Sequence, residues 1–121
     1  MLKIRQEQWE VFSELARERF TERVVAGIRR HWPEPFEALG AAEVRSSVAA
    51  GIEQGKALGL EREYDLHRYI NLMYALGFQF RTDPRYPWVA EILAAESLDP
   101  RERIDALCRR AEQLPAQSAG A

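Results

Sequence analysis

Apolar residues in this chain recur at intervals of three and four, and that period constrains the fold more than any other property of the sequence. From about Arg5 to His31, the residues Trp9, Phe12, Ala16, Phe20, Val24 and Ile28 fall on one arc of a helical wheel. Glu10, Glu14, Glu18 and Glu22 fall on the opposite side. This spacing predicts a long amphipathic helix. Pro33 and Pro35 end it, because proline lacks an amide hydrogen and disfavours helical geometry in the residue before it. Phe36 and Leu39 then predict one short turn that plugs the core, and Gly40 lets the chain reverse.

The same period continues downstream. About Ala42 to Leu58 carries Val44, Val48, Ile52 and Gly55 on one face, with Gly51 beside them, and Gly59 stands at a natural left-handed cap position. Two interior glycines cost helix propensity, roughly 1 kcal/mol each relative to alanine. Close approach of a neighbouring helix is the compensation expected of them. About Glu63 to Gly77 contains Leu66, Tyr69, Ile70, Leu72, Met73, Tyr74 and Leu76, an apolar surface too wide for a helix lying against solvent, so this is the central buried helix.

Two prolines and the Asp83-Pro84 step make residues 78–87 a loop. A short helix starts at Pro87 and turns Trp88, Val89, Ile92 and Leu93 inward. A last helix starts near Asp99-Pro100, with Asp99 placed to cap it, and carries Ile104, Leu107, Cys108 and Ala111 at core spacing. The expected fold is therefore all-α, a compact bundle of about five helices plus a short turn. A single domain over residues 1–114 and a disordered tail over residues 115–121 complete it; 121 residues at 46% apolar content enclose one core rather than two.

Charge narrows the partners. With 30% charged residues and a formal net charge of only -2, the chain lacks the basic excess that phosphate neutralisation requires, so nucleic acid is not an expected partner. The first residues run straight into charge without an apolar export segment, and no stretch approaches roughly 18 uninterrupted apolar residues. The expectation is a cytoplasmic protein without a membrane partner. The single cysteine, Cys108, suits a reducing compartment and reads as core filling.

Catalytic chemistry has no evident seat. His31 lies on the apolar arc at the end of the first helix, where a partly buried histidine bonded to terminal carbonyls is the ordinary outcome. His67 shares a face with Glu63 and Asn71 at four-residue spacing, an arrangement that could supply two metal ligands or an acid-base pair but that arises often by accident in helices. No second histidine or cysteine stands near in sequence to strengthen it. The serines Ser13, Ser46, Ser47 and Ser97 lack a Gly-x-Ser-x-Gly setting, and no glycine-rich phosphate loop precedes a helix. The expectation is a protein that is not an enzyme and takes neither cofactor nor metal. The glutamate stripe of the first helix reads first as a solvated face and second as a docking surface for a basic partner.

The aromatic residues Tyr69, Tyr74, Phe78, Phe80, Tyr86 and Trp88 crowd the central helix and the proline-held loop after it. Phe78, Phe80 and Trp88 are expected to fold over the core while Thr82 and Asp83 cap the turn. Arg81, Asp83, Arg85 and Tyr86 are then the candidate partner-binding residues, since preorganised arginines and rings are the side chains that dominate interfaces.

Several stretches together carry a likeness: Ile4-Arg5-Gln6-Glu7-Gln8, Arg29-Arg30-His31-Trp32-Pro33, Gly51-Ile52-Glu53 with Gly59-Leu60, Tyr69-Ile70-Asn71-Leu72-Met73, and Phe78-x-Phe80-x-Thr82-Asp83-Pro84-x-x-Pro87-Trp88. In these the chain resembles, up to about Ala111, a small uncharacterised all-helical family found beside effector and spike genes of bacterial type VI secretion systems. The shared motifs are structural ones. Members of that family often carry a cysteine before the Tyr-Ile stretch and an acidic residue within it; here His67 or Arg68 stands near the former and Asn71 replaces the latter. The resemblance implies an accessory that helps load, hold or regulate a secreted effector or its adaptor, acting as co-chaperone or adaptor-binding module. Its alternatives are a cytoplasmic immunity protein that blocks a toxin and, from another class, a small enzyme or metal protein built on Glu63, His67 and Asn71.

Overall fold

In the computed structural model residues 6–114 are described, with side chains from Glu14 onward. The side chains of Trp9, Glu10 and Phe12, and the tail over residues 115–121, lie outside the described residues. Six helices and no strand occur among them: α1 Gln6–His31, α2 Pro33–Leu39, α3 Ala41–Ala57, α4 Glu63–Leu76, α5 Pro87–Leu93 and α6 Pro100–Glu112. The protein is all-helical, as its periodicity requires. The helices group into two compact units divided after Ala49, so that α3 runs from one into the other.

In the first unit the four-residue spacing of Phe20, Val24 and Ile28 gives α1 a buried edge, and Val44 and Val48 give α3 another. The Glu22 carboxylate on the solvated face of α1 forms an ion pair with Arg45 of α3. Trp32 interrupts α1 after His31, and Pro33 at once opens α2, where its missing amide hydrogen falls at a position that needs none. The expected single turn is thus a seven-residue helix. Phe36 and Leu39 are only half-buried and α2 has no buried residue, so it does not plug the core as expected. A helix this short between the breaks at Trp32 and Gly40 offers one narrow face, and the Phe36 ring lies on that face under the Arg29 guanidinium, 5.7 Å away.

The second unit is organised around α4. Leu66, Tyr69, Ile70, Leu72, Met73 and Leu76 are all buried, and the burial of each aliphatic one contributes about 1.5–3 kcal/mol. The glycines of α3 make this possible. A Cβ on Gly51 would stand 2.5 Å from Ile70 Cγ1 and 2.9 Å from Met73 Sδ, and one on Gly55 would stand 2.6 Å from Leu66 Cδ2. The side chains of α4 occupy the space that alanines would have filled, which is the close approach expected of these glycines.

Gly59 ends α3 as its sequence position predicts. At φ +90° it adopts the left-handed conformation, the Leu60 amide donates to the Gly55 carbonyl and the Gly59 amide donates to the Lys56 carbonyl. This is the paired bonding of a Schellman cap, with Leu60 buried as its apolar seal. At the other end of the unit, Asp99 accepts from the Glu102 amide at 2.8 Å while the Glu102 side chain accepts from the Asp99 amide at 2.9 Å, a complete capping box. Ile104 and Leu107 are buried; Cys108 and Ala111 are half-buried.

Candidate functional site

Between α4 and α5 the chain makes successive tight turns, with Phe80, Thr82 and Tyr86 amides donating to the carbonyls of Gly77, Gln79 and Asp83. Gly77, at φ +118°, releases the chain from α4. Phe80 drops into the core, fully buried, with its ring 5.4 Å from that of Tyr69. Trp88 is buried too, as its spacing predicts.

Phe78 departs from expectation. It is 37% exposed, its ring edge-on to Tyr74 at 5.1 Å, and it does not fold over the core. The tight turn that starts at Gly77 inserts Phe80, and a residue two positions earlier in that turn is left outside. Tyr86 departs in the other direction: expected at the surface, it is buried with its ring 5.9 Å from Trp88. Its position just before Pro87 makes it the residue that opens α5, and the start of that helix packs inward.

The predicted binding residues therefore separate into two groups. Asp83, Arg85 and Tyr86 form a self-satisfied knot. The Asp83 carboxylate accepts from the Arg85 backbone amide at 2.9 Å, from Nε at 3.2 Å and from Nη2 at 2.8 Å, while the Arg85 guanidinium lies 5.2 Å from the Tyr86 ring centre. Hydrogen bonding by Arg85 holds the Asp83 carboxyl below the usual carboxylate range, and Asp83 raises Arg85 in turn. Arg81 belongs elsewhere. It lines an open groove whose polar lining is Gln54, Gln79 and Thr82 and whose apolar lining is Leu58, Phe78, Ala90, Leu93 and Ala94.

The floor beneath Arg81 was not legible as a site in the sequence. Tyr69, expected only as core, is buried at its ring and directs its hydroxyl to Gln54 Oε1 at 2.8 Å. Burial pushes the Tyr69 hydroxyl up, while the neighbouring Arg81 charge and a hydrogen bond from Arg81 pull it down. Gln54 on α3 and Tyr69 on α4 are thus joined by a hydrogen bond, with the Arg81 charge on the loop beside the Tyr69 hydroxyl. Only the i, i+15 separation of the first two and the loop path join them, and no local spacing signals it.

A second polar cluster joins α4 to α6. Asp65 in the first turn of α4 is buried, and Oδ1 has no hydrogen-bond partner among the described residues, although Arg68 Nη1 stands 3.5 Å away. That guanidinium instead donates to Asp105 at 2.5 Å and lies 5.1 Å from the Tyr64 ring centre. Burial acts to lower Arg68, but the hydrogen bond to Asp105, the Asp105 charge and, at the alkaline pH where a guanidinium titrates, the Cys108 thiolate outweigh it and raise it. The Cys108 thiol beside it is pushed up by burial, against the pull of Arg68. A thiol shifted that way is protonated at neutral pH and a poor nucleophile. The cluster's geometry is that of a tie between two helices.

His31, the last residue of α1, is exposed rather than partly buried. His67, Glu63 and Asn71 are exposed together on α4, and among the described residues no group of three histidine, cysteine or carboxylate side chains is arranged to hold a metal. No helix among the described residues is long and apolar enough to cross a membrane. Comparison of the chain with protein-family models, with curated proteins and with solved structures finds no match.

Proposed function

We propose that this chain is a non-enzymatic protein-binding module and that the groove carrying Arg81 is where it receives its partner. The observation that carries the reading is the pairing of an exposed Phe78 with Arg81 along one open groove. Large apolar side chains left in solvent beside a positioned arginine are the composition of interface centres rather than of ordinary surface. The Asp83–Arg85 knot supports the loop from behind and stiffens it, which lowers the ordering cost of binding.

The resemblance to the type VI-associated family supplies the class of partner: a secreted effector or the adaptor that carries it. In that role the chain works in the cytoplasm as a co-chaperone or adaptor-binding module before export, and the single cysteine is compatible with that reducing compartment. Affinity capture of the tagged full chain from its native host, followed by titration of each purified candidate against the purified chain, tests the reading. Direct binding of an effector or adaptor supports it. Absence of any direct binder above an untagged control refutes it.

A further inference from the structure

The groove has one charged lining residue, Arg81, and its setting differs from that of two other arginines of the same unit. Arg85 is taken by Asp83, and Arg68 by Asp105. Arg81 has no carboxylate partner among the described residues; its charge lies beside a neutral hydroxyl, that of Tyr69, which donates to Gln54. A guanidinium without a carboxylate partner keeps its donors available, in a planar fork that matches a carboxylate. Beside it, Leu58, Phe78 and Leu93 give the groove an apolar wall, and the edge contact with Tyr74 steadies Phe78 there.

We infer that the groove recognises an acidic segment of a partner protein, an Asp or Glu side chain pairing with Arg81 while an adjacent aliphatic or aromatic side chain lies against Leu58, Phe78 and Leu93. This rests on the protein-binding reading above and specifies the chemistry of its partner. Charge complementarity sets the sign, because a basic segment would meet an uncompensated arginine. Tyr69 and Gln54 are positioning residues that aim Arg81 and do not themselves need to touch the partner.

The test is selection of short random peptides displayed against the immobilised full chain, followed by anisotropy measurements with the synthetic consensus peptide. Enriched peptides are expected to carry Asp or Glu next to Leu, Ile or Phe. Arg81→Gln is expected to weaken the consensus peptide by about tenfold or more, and Phe78→Ala by a comparable factor, while Arg101→Gln, at an exposed arginine outside the groove lining, leaves it within about twofold. Tyr69→Phe is expected to weaken binding in the parent chain and to add nothing in the Arg81→Gln background, a coupling that a merely structural effect of the hydroxyl would not produce. Peptides lacking carboxylates, equal binding by Arg81→Gln, or no enrichment over an unrelated helical protein would each overturn the inference. A captured protein partner that still binds Arg81→Gln would overturn it while leaving the protein-binding reading intact, so the two fail separately.

Discussion

Gly51→Ala sets two known quantities against each other at one atom. Alanine in a helix interior is favoured over glycine by roughly 0.8–1.0 kcal/mol, and taken alone that term makes the substitution stabilising. The added methyl, however, would stand 2.5 Å from Ile70 Cγ1 and 2.9 Å from Met73 Sδ. The methionine sulfur sits on a flexible chain and yields, but Cγ1 of a β-branched residue on α4 is held close to its backbone. Forcing an extra carbon into such a site costs about 1–3 kcal/mol, so the net expectation is destabilisation of about 1 kcal/mol, read as a lower urea midpoint at unchanged slope. The decisive arm is the second background. Ile70→Ala should itself cost about 2–5 kcal/mol, and it removes the obstructing carbon. In that background Gly51→Ala should change sign and restore up to about 1 kcal/mol, its propensity gain now unopposed. If Gly51→Ala stabilises the parent chain, or costs the same in both backgrounds, the packing of α4 onto α3 described above is wrong.

Three further outcomes are expected. Asp99→Ala removes the acceptor of the α6 capping box and should cost about 0.5–2 kcal/mol in a denaturant titration, whereas a neutral result would show the cap does not form. Phe80→Ala should cost about 3–5 kcal/mol and Phe78→Ala about 1 kcal/mol or less; equal losses would mean that the two rings are not divided between core and surface. Because burial raises the Cys108 thiol, the folded chain holds that proton more tightly than the unfolded chain. The group's stabilising contribution is therefore complete below the ordinary thiol range near about 8.5 and is lost as the pH rises through the raised folded value. Urea midpoints of the parent chain should accordingly fall more steeply on the alkaline side than those of Cys108→Ala, and parallel curves would contradict the assigned burial.

The sequence by itself determined the helices and their ends. The three-and-four spacing from Phe20 to Ile28 and from Leu66 to Leu76 survives in any packing, because an apolar stripe on a helix must be covered somewhere. Pro33, Gly59, Pro87 and Asp99 act within a turn of their own position, by a missing amide, a left-handed φ or a short side-chain bond, and each ends or opens a helix where local chemistry says it must. Part of the candidate site was legible for the same reason: prolines and crowded rings mark residues 78–87 as a stiff loop carrying Arg81. Tertiary structure decided the rest. Phe78 and Phe80 stand two residues apart in a segment without regular period, so nothing local says which one is buried. The Arg68–Asp105 pair joins positions 37 residues apart, and the hydrogen bond from Tyr69 to Gln54, with the Arg81 charge beside that hydroxyl, brings together three elements, contacts that exist only once α3, α4 and the loop have met. Periodicity records which face of a helix must avoid water; it does not record which distant polar group will be waiting there.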